Sequence, residues 1–505
     1  MIRHQSAPWY PPQWRAVVGA ARRRSSRLPG RHLPWREPEA ESANASAGPQ
    51  ILILGGGYVG LYTALRLQRR LRAGEAHVTI VDPRSYMTYQ PFLPEAAAGS
   101  LEPRHVVVSL RRELHGFRVL NGRVSAISHG DRTVSVAPQI GDSFTLHYDH
   151  VVVALGSVAR TLPVPGLKET GIGFKQVEEA IALRNHILER LEIAAAVDDA
   201  AIRARALTFV FVGGGYAGTE AIAELEDMAR AAITFHAGLN RCDLRFVLVE
   251  ASGRILPEVR EEMSVYTVEQ LRGRGIDVRL ETRLESCVGG EVVLSDGTRL
   301  SADTLVWTAG VKANPVLLAS DLPLDERGRL RCAPTLQVIG DRGVLAGVWG
   351  AGDCAAVPDL TGAPGAYCSP SAQHAVRQAR VLGDNIVAAL RGAEPREYRH
   401  RHVGSVASLG LHRGVADVYG VKVKGLPAWF MHRTYHMSRM PTFNRKVRIV
   451  LDWTLALFFR RELVALGRLQ NPYAEFRSAA QDVPMRGRTG TLPATQPTGS
   501  PMASS

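Results

Sequence analysis

Residues 51–60 read ILILGGGYVG, a short apolar run that ends in a cluster of glycines. Four consecutive apolar residues are typical of a strand buried on both faces of a parallel sheet. Residues 61–71 follow with the apolar spacing of a helix, and the next apolar run, at 78–81, ends on Asp82. The sequence therefore predicts a strand, a glycine turn, a helix and a second strand.

The glycines of this unit have the spacing of a dinucleotide-binding loop. Gly55 allows the tight turn, Gly57 lets a pyrophosphate approach the backbone, and Gly60 lets the helix pack closely on the strand. The start of the helix then faces the phosphates, and Asp82 can accept a hydrogen bond from a ribose hydroxyl. We interpret the unit as a dinucleotide site rather than a purely structural turn.

The same pattern recurs from residue 208, where TFVFV leads into GGGYAG and a later predicted strand ends on Glu250. The glycines that take the three roles in this second unit are Gly213, Gly215 and Gly218. A carboxylate at Glu250 would bond a 2′-hydroxyl and repel a 2′-phosphate, which favours NADH over NADPH, although Arg254 lies nearby in sequence. Two dinucleotide sites in one chain favour a flavin paired with a nicotinamide.

Three further sequence motifs indicate that the first domain is split. VVVALG at 151–156 and LVWTAG at 305–310 are strands that end on glycine, on either side of the second unit. VWGAGD at 348–353 ends on Asp353, which can bond the ribityl chain of a flavin while nearby backbone N–H groups meet the pyrophosphate. The expected fold is α/β, with two Rossmann-like dinucleotide-binding domains, the nicotinamide domain being inserted in the flavin domain.

These patterns divide the chain into six segments. The predicted segments are a disordered basic leader (1–49), the first part of the FAD-binding domain (50–167), the NADH-binding domain (168–308), the second part of the FAD-binding domain (309–392), a C-terminal membrane-anchoring domain (393–477) and a disordered tail (478–505). The leader has neither helical nor strand periodicity and no apolar core of a secretory signal.

The net charge of +13 is concentrated at the two ends of the 505-residue chain. Residues 1–50 carry eight Arg against three Glu, and residues 391–505 carry 18 basic against seven acidic residues. Residues 51–390 are left with a net charge of −3. Basic ends indicate an anionic partner, either nucleic acid or a lipid headgroup surface.

The five cysteines are odd in number and form no C-x-x-C pair. This pattern excludes a disulfide scaffold, a Cys-pair zinc site and a Cys-pair disulfide reductase, and no metal site is expected. Cys354, beside Asp353, is interpreted as a small packed residue rather than a redox centre.

Taken together, the motifs resemble those of the type II NADH dehydrogenases, single-subunit NADH:quinone oxidoreductases that do not pump protons. The resemblance covers residues 50 to about 477. The segments that carry it are GGGYVG at 55–60, QPFLPEAAAG at 90–99, VVVALGS at 151–157, GGGYAGTEAIAEL at 213–225, LVWTAGVKANP at 305–315, WGAGDCAAVPD at 349–359, SPSAQHAVRQA at 369–379 and a basic-aromatic C-terminal region.

The resemblance implies roles for individual residues. It implies FAD binding by Gly55, Gly57, Gly60, Asp82, Gly156 and Asp353, and NADH binding by Gly213, Gly215, Gly218 and Glu250. Glu220 would lie beside the contact between nicotinamide and isoalloxazine, and Gln373 would line the flavin edge where quinone arrives.

The chain departs from the family pattern at the second glutamine of the A-Q-x-A-x-Q stretch. Arg377 occupies that position, and Gln378 follows one residue later, about 100° further around a helix. Gln378 therefore cannot simply replace it, and the departure concerns the electron acceptor rather than the flavin or NADH. His374 is interpreted as packing on its helix, with proton donation to a quinol as the alternative.

The C-terminal region combines a short apolar run at 449–459 with basic flanks and nearby aromatic rings. Its 11 residues span only about 16 Å as a helix, half of a bilayer core. This composition favours an interfacial anchor, with a core helix or a dimer interface as the alternatives. The expected location is peripheral, or monotopic, on the cytoplasmic face of the cell membrane.

The predicted function is transfer of a hydride from NADH to FAD, followed by reduction of a membrane quinone, menaquinone or ubiquinone, without proton pumping. The expected partners are the quinone and an anionic membrane surface, with a second copy of the chain as a further candidate and no nucleic acid. One alternative is a soluble NADH-dependent reductase that feeds an iron–sulfur protein. Another is a redox-switched flavoprotein whose basic ends bind nucleic acid, although no nucleic-acid-binding signature accompanies the charge.

Overall fold

The computed structural model describes residues 48–400, 404–459 and 461–465. Residues 1–47 of the predicted leader and the whole predicted tail, 478–505, lie outside the described residues.

A six-stranded sheet forms the first domain. In spatial order its strands are Gln337–Gly340, Gly343–Gly350, His150–Val153, Gln50–Leu54, His77–Asp82 and Arg118–Asn121. All neighbours are parallel except the first two. Residues 51–54 are at most 2% exposed, as expected for a central strand covered on both faces.

A five-stranded parallel sheet forms the second domain. Its strands are, in order, Gly171–Gly173, Thr304–Trp307, Thr208–Val212, Arg245–Val249 and Asp277–Arg279. The chain leaves the first sheet after Val153, builds the second sheet, and returns to the first at Gln337. The predicted insertion of one dinucleotide-binding domain into the other is therefore confirmed.

Helices cover these sheets and join them. The α-helices are α1 Tyr58–Arg70, α2 Leu93–Ala97, α3 Leu110–Glu113, α4 Leu167–Thr170, α5 Val177–Ala196, α6 Ala200–Ala206, α7 Tyr216–Ala232, α8 Glu261–Gly273, α9 Ala372–Leu390, α10 Leu426–Arg439 and α11 Phe443–Phe458. Helix α1 follows the first glycine loop and packs along α9, whereas α7 follows the second loop and contacts α2 and α5.

Smaller sheets complete the framework. Three antiparallel sheets of three strands each are formed by Arg123–Ser128, Thr133–Ala137 and Phe144–His147, by Leu284–Ser286, Glu291–Leu294 and Arg299–Ser301, and by Gly404–Ser408, Gly414–Val418 and Val421–Lys424. The remaining pairs are Tyr86–Thr88 with Val107–Ser109, Ser157–Ala159 with Val311–Ala313, and Leu330–Arg331 with Ala355–Ala356.

The last three-stranded sheet, 404–424, leads directly into α10 and α11. Together they form the C-terminal region of the described chain. Within the described ranges, no helix is both long and apolar enough to cross a membrane.

Candidate active site

The first glycine loop has the shape that a dinucleotide requires. Gly55 has φ = +104°, and a Cβ there would lie 2.4 Å from the carbonyl oxygen of Ala154. A Cβ on Gly60 would lie 1.8 Å from the Gly55 oxygen, so the helix can approach the turn only with glycine. Space around Gly57 is open, and no side chain caps the start of α1 there. The loop therefore leaves free backbone N–H groups at an accessible helix start, which suits a pyrophosphate.

Asp82 closes this loop from the end of the neighbouring strand. Its Oδ2 accepts a hydrogen bond of 2.7 Å from Gly56 N, and its Oδ1 accepts one of 2.7 Å from Arg84 N. Burial is the largest influence on this carboxyl group and raises its pKa, while the two backbone N–H groups and Arg84 oppose the effect. The carboxylate is held at the place where the second strand of a dinucleotide domain meets a ribose.

The second loop repeats this geometry. Gly213 has φ = +112°, and a Cβ on Gly218 would lie 1.9 Å from the Gly213 oxygen, whereas space around Gly215 is open. Glu250 Oε2 accepts a hydrogen bond of 2.6 Å from Gly214 N, the counterpart of the bond between Asp82 and Gly56.

The turn that follows Glu250 supplies further partners for its carboxylate. Glu250 Oε1 accepts hydrogen bonds from the backbone N and the hydroxyl of Ser252, at 2.8 and 2.7 Å. Arg254, the neighbour whose charge bears on the choice of nucleotide, donates instead to the carbonyl of Pro257. Arg254 is therefore held by the backbone of its own turn rather than by the Glu250 carboxylate.

Both domains contribute to one cleft with a volume of about 1640 Å³. A typical pocket for a single ligand has about 300–1,000 Å³, so the cleft has room for more than one. Of the predicted site residues, its wall contains Gly55, Asp82, Glu220, Asp353 and Gln373.

The other predicted residues are not part of this wall. They are Gly57, Gly60, Gly156, Gly213, Gly215, Gly218 and Glu250. From the second loop, the wall includes Tyr216 and Ala217, the first two residues of α7. The cleft is therefore the space between the two domains, and the two glycine loops lie at its margins.

Asp353 lies in a short 3-10 helix, Gly352–Cys354, after the strand that returns to the first sheet. Its Oδ2 accepts a hydrogen bond of 2.6 Å from Ser157 Oγ, and the Lys175 ammonium donates to the same hydroxyl. Burial lowers the pKa of Lys175, with Asp353 and Glu179 acting in the opposite direction. The predicted flavin ligand is thus part of a polar triad in which Ser157 and Lys175 also line the cleft.

Gln373 occupies the first turn of α9, where the cleft meets the first domain. Its Oε1 lies 3.0 Å from the His400 Nε2, and its Nε2 is 3.4 Å from the Gly404 oxygen. Arg377 lies one turn later, lines the cleft, and donates 3.0 Å to the Gln373 carbonyl.

The neighbouring residues of α9 point elsewhere. Gln378 is buried, and its Oε1 accepts 2.8 Å from Gly352 N. His374 is buried with Nδ1 2.9 Å from the Tyr398 hydroxyl, and it is not part of the cleft wall. Position 377 therefore faces the cleft with an arginine, as the rotation of about 100° per residue requires.

Glu220 lies in the first turns of α7, on the wall of the cleft, and is 6% exposed. Its Oε1 accepts a hydrogen bond of 2.8 Å from Ser408 N and lies 3.1 Å from His432 Nε2. The two partners of Glu220, Ser408 and His432, thus lie about 190 residues or more further along the chain, on the strand Gly404–Ser408 and on helix α10.

The QPFLPEAAAG segment supplies the surface on which the C-terminal helices dock. Glu95 is 1% exposed. Its carboxylate forms an ion pair of 2.9 Å with Arg433 of α10 and accepts a hydrogen bond of 2.9 Å from the Trp453 indole of α11. The Phe92 ring packs edge-on against Trp453 at 5.7 Å, and Asp452 pairs with His105 at 2.6 Å. The acid that interrupts the apolar run is therefore a docking contact.

The outward side of α11 is apolar and exposed, whereas Ile449 is fully buried against the protein. We call the exposed side the α11 apolar face. It consists of Phe443, Val447, Val450, Leu451, Leu455, Leu457 and Phe458, each at least 40% exposed.

Among these residues, sequence reasoning missed Lys175, Ser157 and His432. Ser157 follows the VVVALG phrase directly, so the motif itself was the available signal. For Lys175 and His432, local sequence gives no comparable signal, because long-range packing brings Lys175 to the cleft wall and His432 to Glu220.

The site combines two glycine loops, each bonded to a carboxylate, with a cleft whose described wall contains no cysteine pair. These features define an oxidoreductase with two dinucleotide-binding domains. All five cysteines are free, and Cys354 is fully buried with its pKa raised to about 11 by burial.

The comparisons with known proteins agree with this class. The pyridine nucleotide-disulphide oxidoreductase family matches residues 49–379, and the NDH2 C-terminal domain matches residues 402–462. A type II NADH:quinone oxidoreductase of Staphylococcus aureus (strain NCTC 8325 / PS 47) is 30% identical over 393 residues, covering 76% of this chain and 93% of the relative. One from Mycobacterium tuberculosis, "Type II NADH:quinone oxidoreductase Ndh", is 27% identical and covers 85% of this chain and 91% of its own length.

A solved structure, NDH2 from Plasmodium falciparum in complex with NADH, shares the fold. It superposes with a TM-score of 0.76 at 18% identity, over 82% of this chain and 99% of that one. The chain belongs to the type II NADH:quinone oxidoreductases within the pyridine nucleotide-disulphide oxidoreductase family. It is an FAD-dependent NADH dehydrogenase, with FAD and NADH as its cofactors.

Proposed function

We propose that the protein carries two electrons from NADH to a membrane quinone, with no step that moves protons across the membrane. The observation that carries this proposal is the cleft between the two dinucleotide domains, with Glu220 and Gln373 both on its wall. FAD, when bound, accepts a hydride from NADH and passes the electrons on to an acceptor. The chain's own residues bind and orient the reactants.

We assign FAD to the first loop. Gly55, Gly57 and Gly60 form a turn in which only the space beside Gly57 is open, so the diphosphate can approach the start of α1. Asp82 would then bind the adenosine ribose, and Asp353, which accepts a hydrogen bond from Ser157, would bind the ribityl chain. Gly156, with φ = +64° and open space around it, lets the backbone approach the cofactor.

We assign NADH to the second loop, with Gly213, Gly215 and Gly218 in the corresponding roles. Glu250 bonds the 2′-hydroxyl and repels a 2′-phosphate, so NADH is preferred over NADPH. Residues 50–167 and 309–392 make up the FAD domain and 168–308 the NADH domain in this proposal.

Two residues of the cleft act on the reacting ends. Glu220 is held by a hydrogen bond from Ser408 N and would lie beside the nicotinamide, and Gln373 would orient the quinone carbonyl at the flavin edge. Arg377 adds a positive charge to the quinone end of the cleft, where the family places an uncharged glutamine.

The quinone reaches this cleft from the membrane. The α11 apolar face is exposed, and it belongs to the segment 391–505, whose sequence carries a net charge of +11; this combination fits the interface of an anionic leaflet. We therefore propose peripheral, monotopic attachment on the cytoplasmic face through α10 and α11.

Steady-state turnover with a panel of acceptors tests the proposed reaction. Protein supplied with FAD is expected to be yellow and to oxidise NADH with short-chain menaquinone or ubiquinone analogues at least tenfold faster than with an iron–sulfur protein. Protein that cannot take up FAD, or that reduces the iron–sulfur protein and no quinone, would overturn the proposal.

A further inference from the structure

The wall of the cleft is divided by charge. Its acidic side chains are Asp82, Glu178, Glu179, Glu220, Glu258 and Asp353, and none of them lies on α1, α9, α10 or α11. Among the described residues, those four helices contribute cations and no acid to the wall. We call these cations the cationic wall; they are Arg66, Arg69, Arg377, Arg380, Arg439 and Lys446.

Carboxylates neutralise little of this charge. Within the described part of the chain, only Arg66 of the cationic wall forms an ion pair, with Asp384 at 2.8 Å. Lys446 donates instead to the Ser438 carbonyl at 2.8 Å. Clustered cations without counter-ions on the wall of a cleft attract an anionic ligand.

Arg377 is the member of the cationic wall that follows Gln373 by one turn of α9. It is partly buried and donates 3.0 Å to the Gln373 carbonyl, its one hydrogen bond among the described residues. A guanidinium has five N–H groups, so most of the donors of Arg377 are left for a ligand in the cleft. Arg380 follows three residues later, on the same side of the helix, and lines the cleft as well.

The groups already placed at the cleft do not account for these cations. We assign the FAD diphosphate to the start of α1 at Tyr58, whereas Arg69 lies 11 residues further along that helix, about 16 Å away. Burial raises the pKa of Tyr398, and although Arg377 acts in the opposite direction, the phenol stays neutral. The charge of Arg377 therefore calls for an anion that enters the cleft.

The same part of the wall also has an apolar character. Leu65 of α1, Val376 of α9, Met431 of α10 and Met440, which follows α10, line the cleft beside the cations. A ligand that suits this surface combines an apolar body with an anionic oxygen. A guanidinium binds two neighbouring oxygens at once, and a quinone ring with an ionised hydroxyl beside a carbonyl presents such a pair.

We propose that Arg377 makes the protein selective for an acceptor quinone with an anionic oxygen on its ring, and that the rest of the cationic wall attracts this acceptor. The inference rests on the proposed function and names the chemical class of its acceptor. The balance is NADH + H⁺ + Q⁻ → NAD⁺ + QH₂⁻. The two ring carbonyls take up two electrons and two protons, and the ionised oxygen keeps its charge.

Turnover of the full-length protein with FAD on a matched pair of acceptors tests this selectivity. 2-Hydroxy-1,4-naphthoquinone is anionic at neutral pH, whereas 2-methoxy-1,4-naphthoquinone has the same ring and is uncharged. The ratio of their kcat/KM values is formed within each variant, so a general loss of flavin or of folded protein cancels. R377Q introduces the residue of the family pattern, R377K keeps the charge, and R327Q, at an exposed arginine outside the cleft wall, is the control.

In R377Q, we expect the ratio of hydroxyquinone to methoxyquinone to fall about tenfold or more, mainly through the KM of the hydroxyquinone, because charge-assisted hydrogen bonds are lost. R377K should fall between R377Q and wild type, since it keeps the charge and loses the bidentate geometry. R327Q should match wild type. A wild-type ratio no higher than that of R377Q would overturn the selectivity. A wild-type protein that reduces ferricyanide and neither quinone would instead refute the proposed function.

Equilibrium dialysis of the hydroxyquinone against the oxidised protein, without NADH, gives a second measurement. Wild-type protein is expected to bind the hydroxyquinone about tenfold more tightly than R377Q does, with R327Q matching wild type. Dihexanoyl phosphatidylglycerol, a soluble lipid whose phosphate is also an oxyanion, should leave the bound hydroxyquinone in place. If this lipid displaces it, the cationic wall binds a lipid headgroup, and the assignment to an anionic quinone is wrong.

Discussion

Gly57 and Gly60 show how one residue type serves two purposes within a single loop. A methyl group at position 60 would meet the Gly55 carbonyl, whereas one at position 57 would point into open space. The backbone of Gly57 has φ = −73°, which is an ordinary value for any residue. In the proposed assignment, Gly57 is therefore needed for cofactor binding, whereas Gly60 is needed by the fold.

This difference predicts opposite phenotypes for two alanine variants. G60A should destabilise the flavin-free protein by about 1–3 kcal/mol, because the added methyl overpacks the turn. G57A should leave thermal unfolding of the flavin-free protein unchanged and weaken FAD binding, because the methyl occupies the approach of the diphosphate. Thermal scans and FAD titration measure both effects, and equal destabilisation by the two variants would contradict this assignment.

Glu250 is the second residue whose role can be isolated. E250R removes the charge that repels a 2′-phosphate and adds one that attracts it, so the ratio of kcat/KM for NADPH to that for NADH should rise at least tenfold, about 1.4 kcal/mol. E250Q is the control for lost hydrogen bonds to Gly214 and Ser252, and its ratio should rise less. An unchanged ratio in E250R would show that Glu250 does not face the ribose.

The residues that sequence could predict are those whose signal is local. Glu220 and the glycines of its loop follow one another within eight residues; the glycine spacing predicts a dinucleotide loop, and the family resemblance implies the role of Glu220. The partners of Glu220, Ser408 and His432, come from a separate sheet and helix, and no local pattern in the sequence identifies them.

At the level of elements, α7 shows how a helix is tied to the C-terminal region by buried charge. Behind Glu220, the Glu224 side chain is 1% exposed, with Ser408 Oγ donating 3.1 Å to it and Arg461 3.7 Å away. Burial, the largest influence, raises the pKa of Glu224 to about 7, and Arg461 acts in the opposite direction.

The raised pKa predicts a pH-dependent effect of E224Q. An unfolded glutamate ionises near pH 4.5 and the folded one near pH 7, so its contribution to stability is full below pH 4.5 and is lost as the pH rises to about 7. The melting temperature of E224Q should therefore gain on wild type between pH 5 and pH 8. E261Q, on the exposed start of α8, is the control, and a constant difference between E224Q and wild type would contradict the shifted pKa.

Helix α11 shows why the sequence predicts a helix but neither its first residue nor its contacts. The apolar run at 449–459 indicated a helix, and the structure begins it six residues earlier, where Thr442 caps the first turn through a hydrogen bond from Arg445 N. Composition alone could not show that Asp452 pairs with His105 or that Trp453 bonds Glu95, because both partners lie about 350 residues away in sequence.

On the scale of the whole molecule, the two-domain architecture was predictable because the motif of each βαβ unit is contained within about 40 consecutive residues. The position of the C-terminal region was not, since it depends on contacts between residues far apart in sequence, with the QPFLPEAAAG segment meeting α10 and α11 and with Glu220 and Glu224 of α7 meeting Ser408. The nearly neutral middle of the chain holds the cofactor loops, and the basic C-terminal part holds the apolar face.

This arrangement predicts that membrane contact and catalysis can be separated. Truncation before α10 would strip Arg433 and Trp453 from Glu95 and expose a buried carboxylate, so point variants of the α11 apolar face are the better test. The triple variant L451Q/L455Q/F458Q leaves these docking contacts in place. It should lose flotation with anionic liposomes and turnover with a long-chain quinone embedded in them.

The same variant should keep its rate with a short-chain quinone in solution, because the cleft is untouched. L318Q, which replaces an equally exposed leucine outside the C-terminal region, is the control and should float like wild type. Retained flotation by the triple variant would assign the apolar face to another partner. If turnover with the soluble quinone were lost as well, α11 would be shaping the cleft itself rather than only attaching the protein to the membrane.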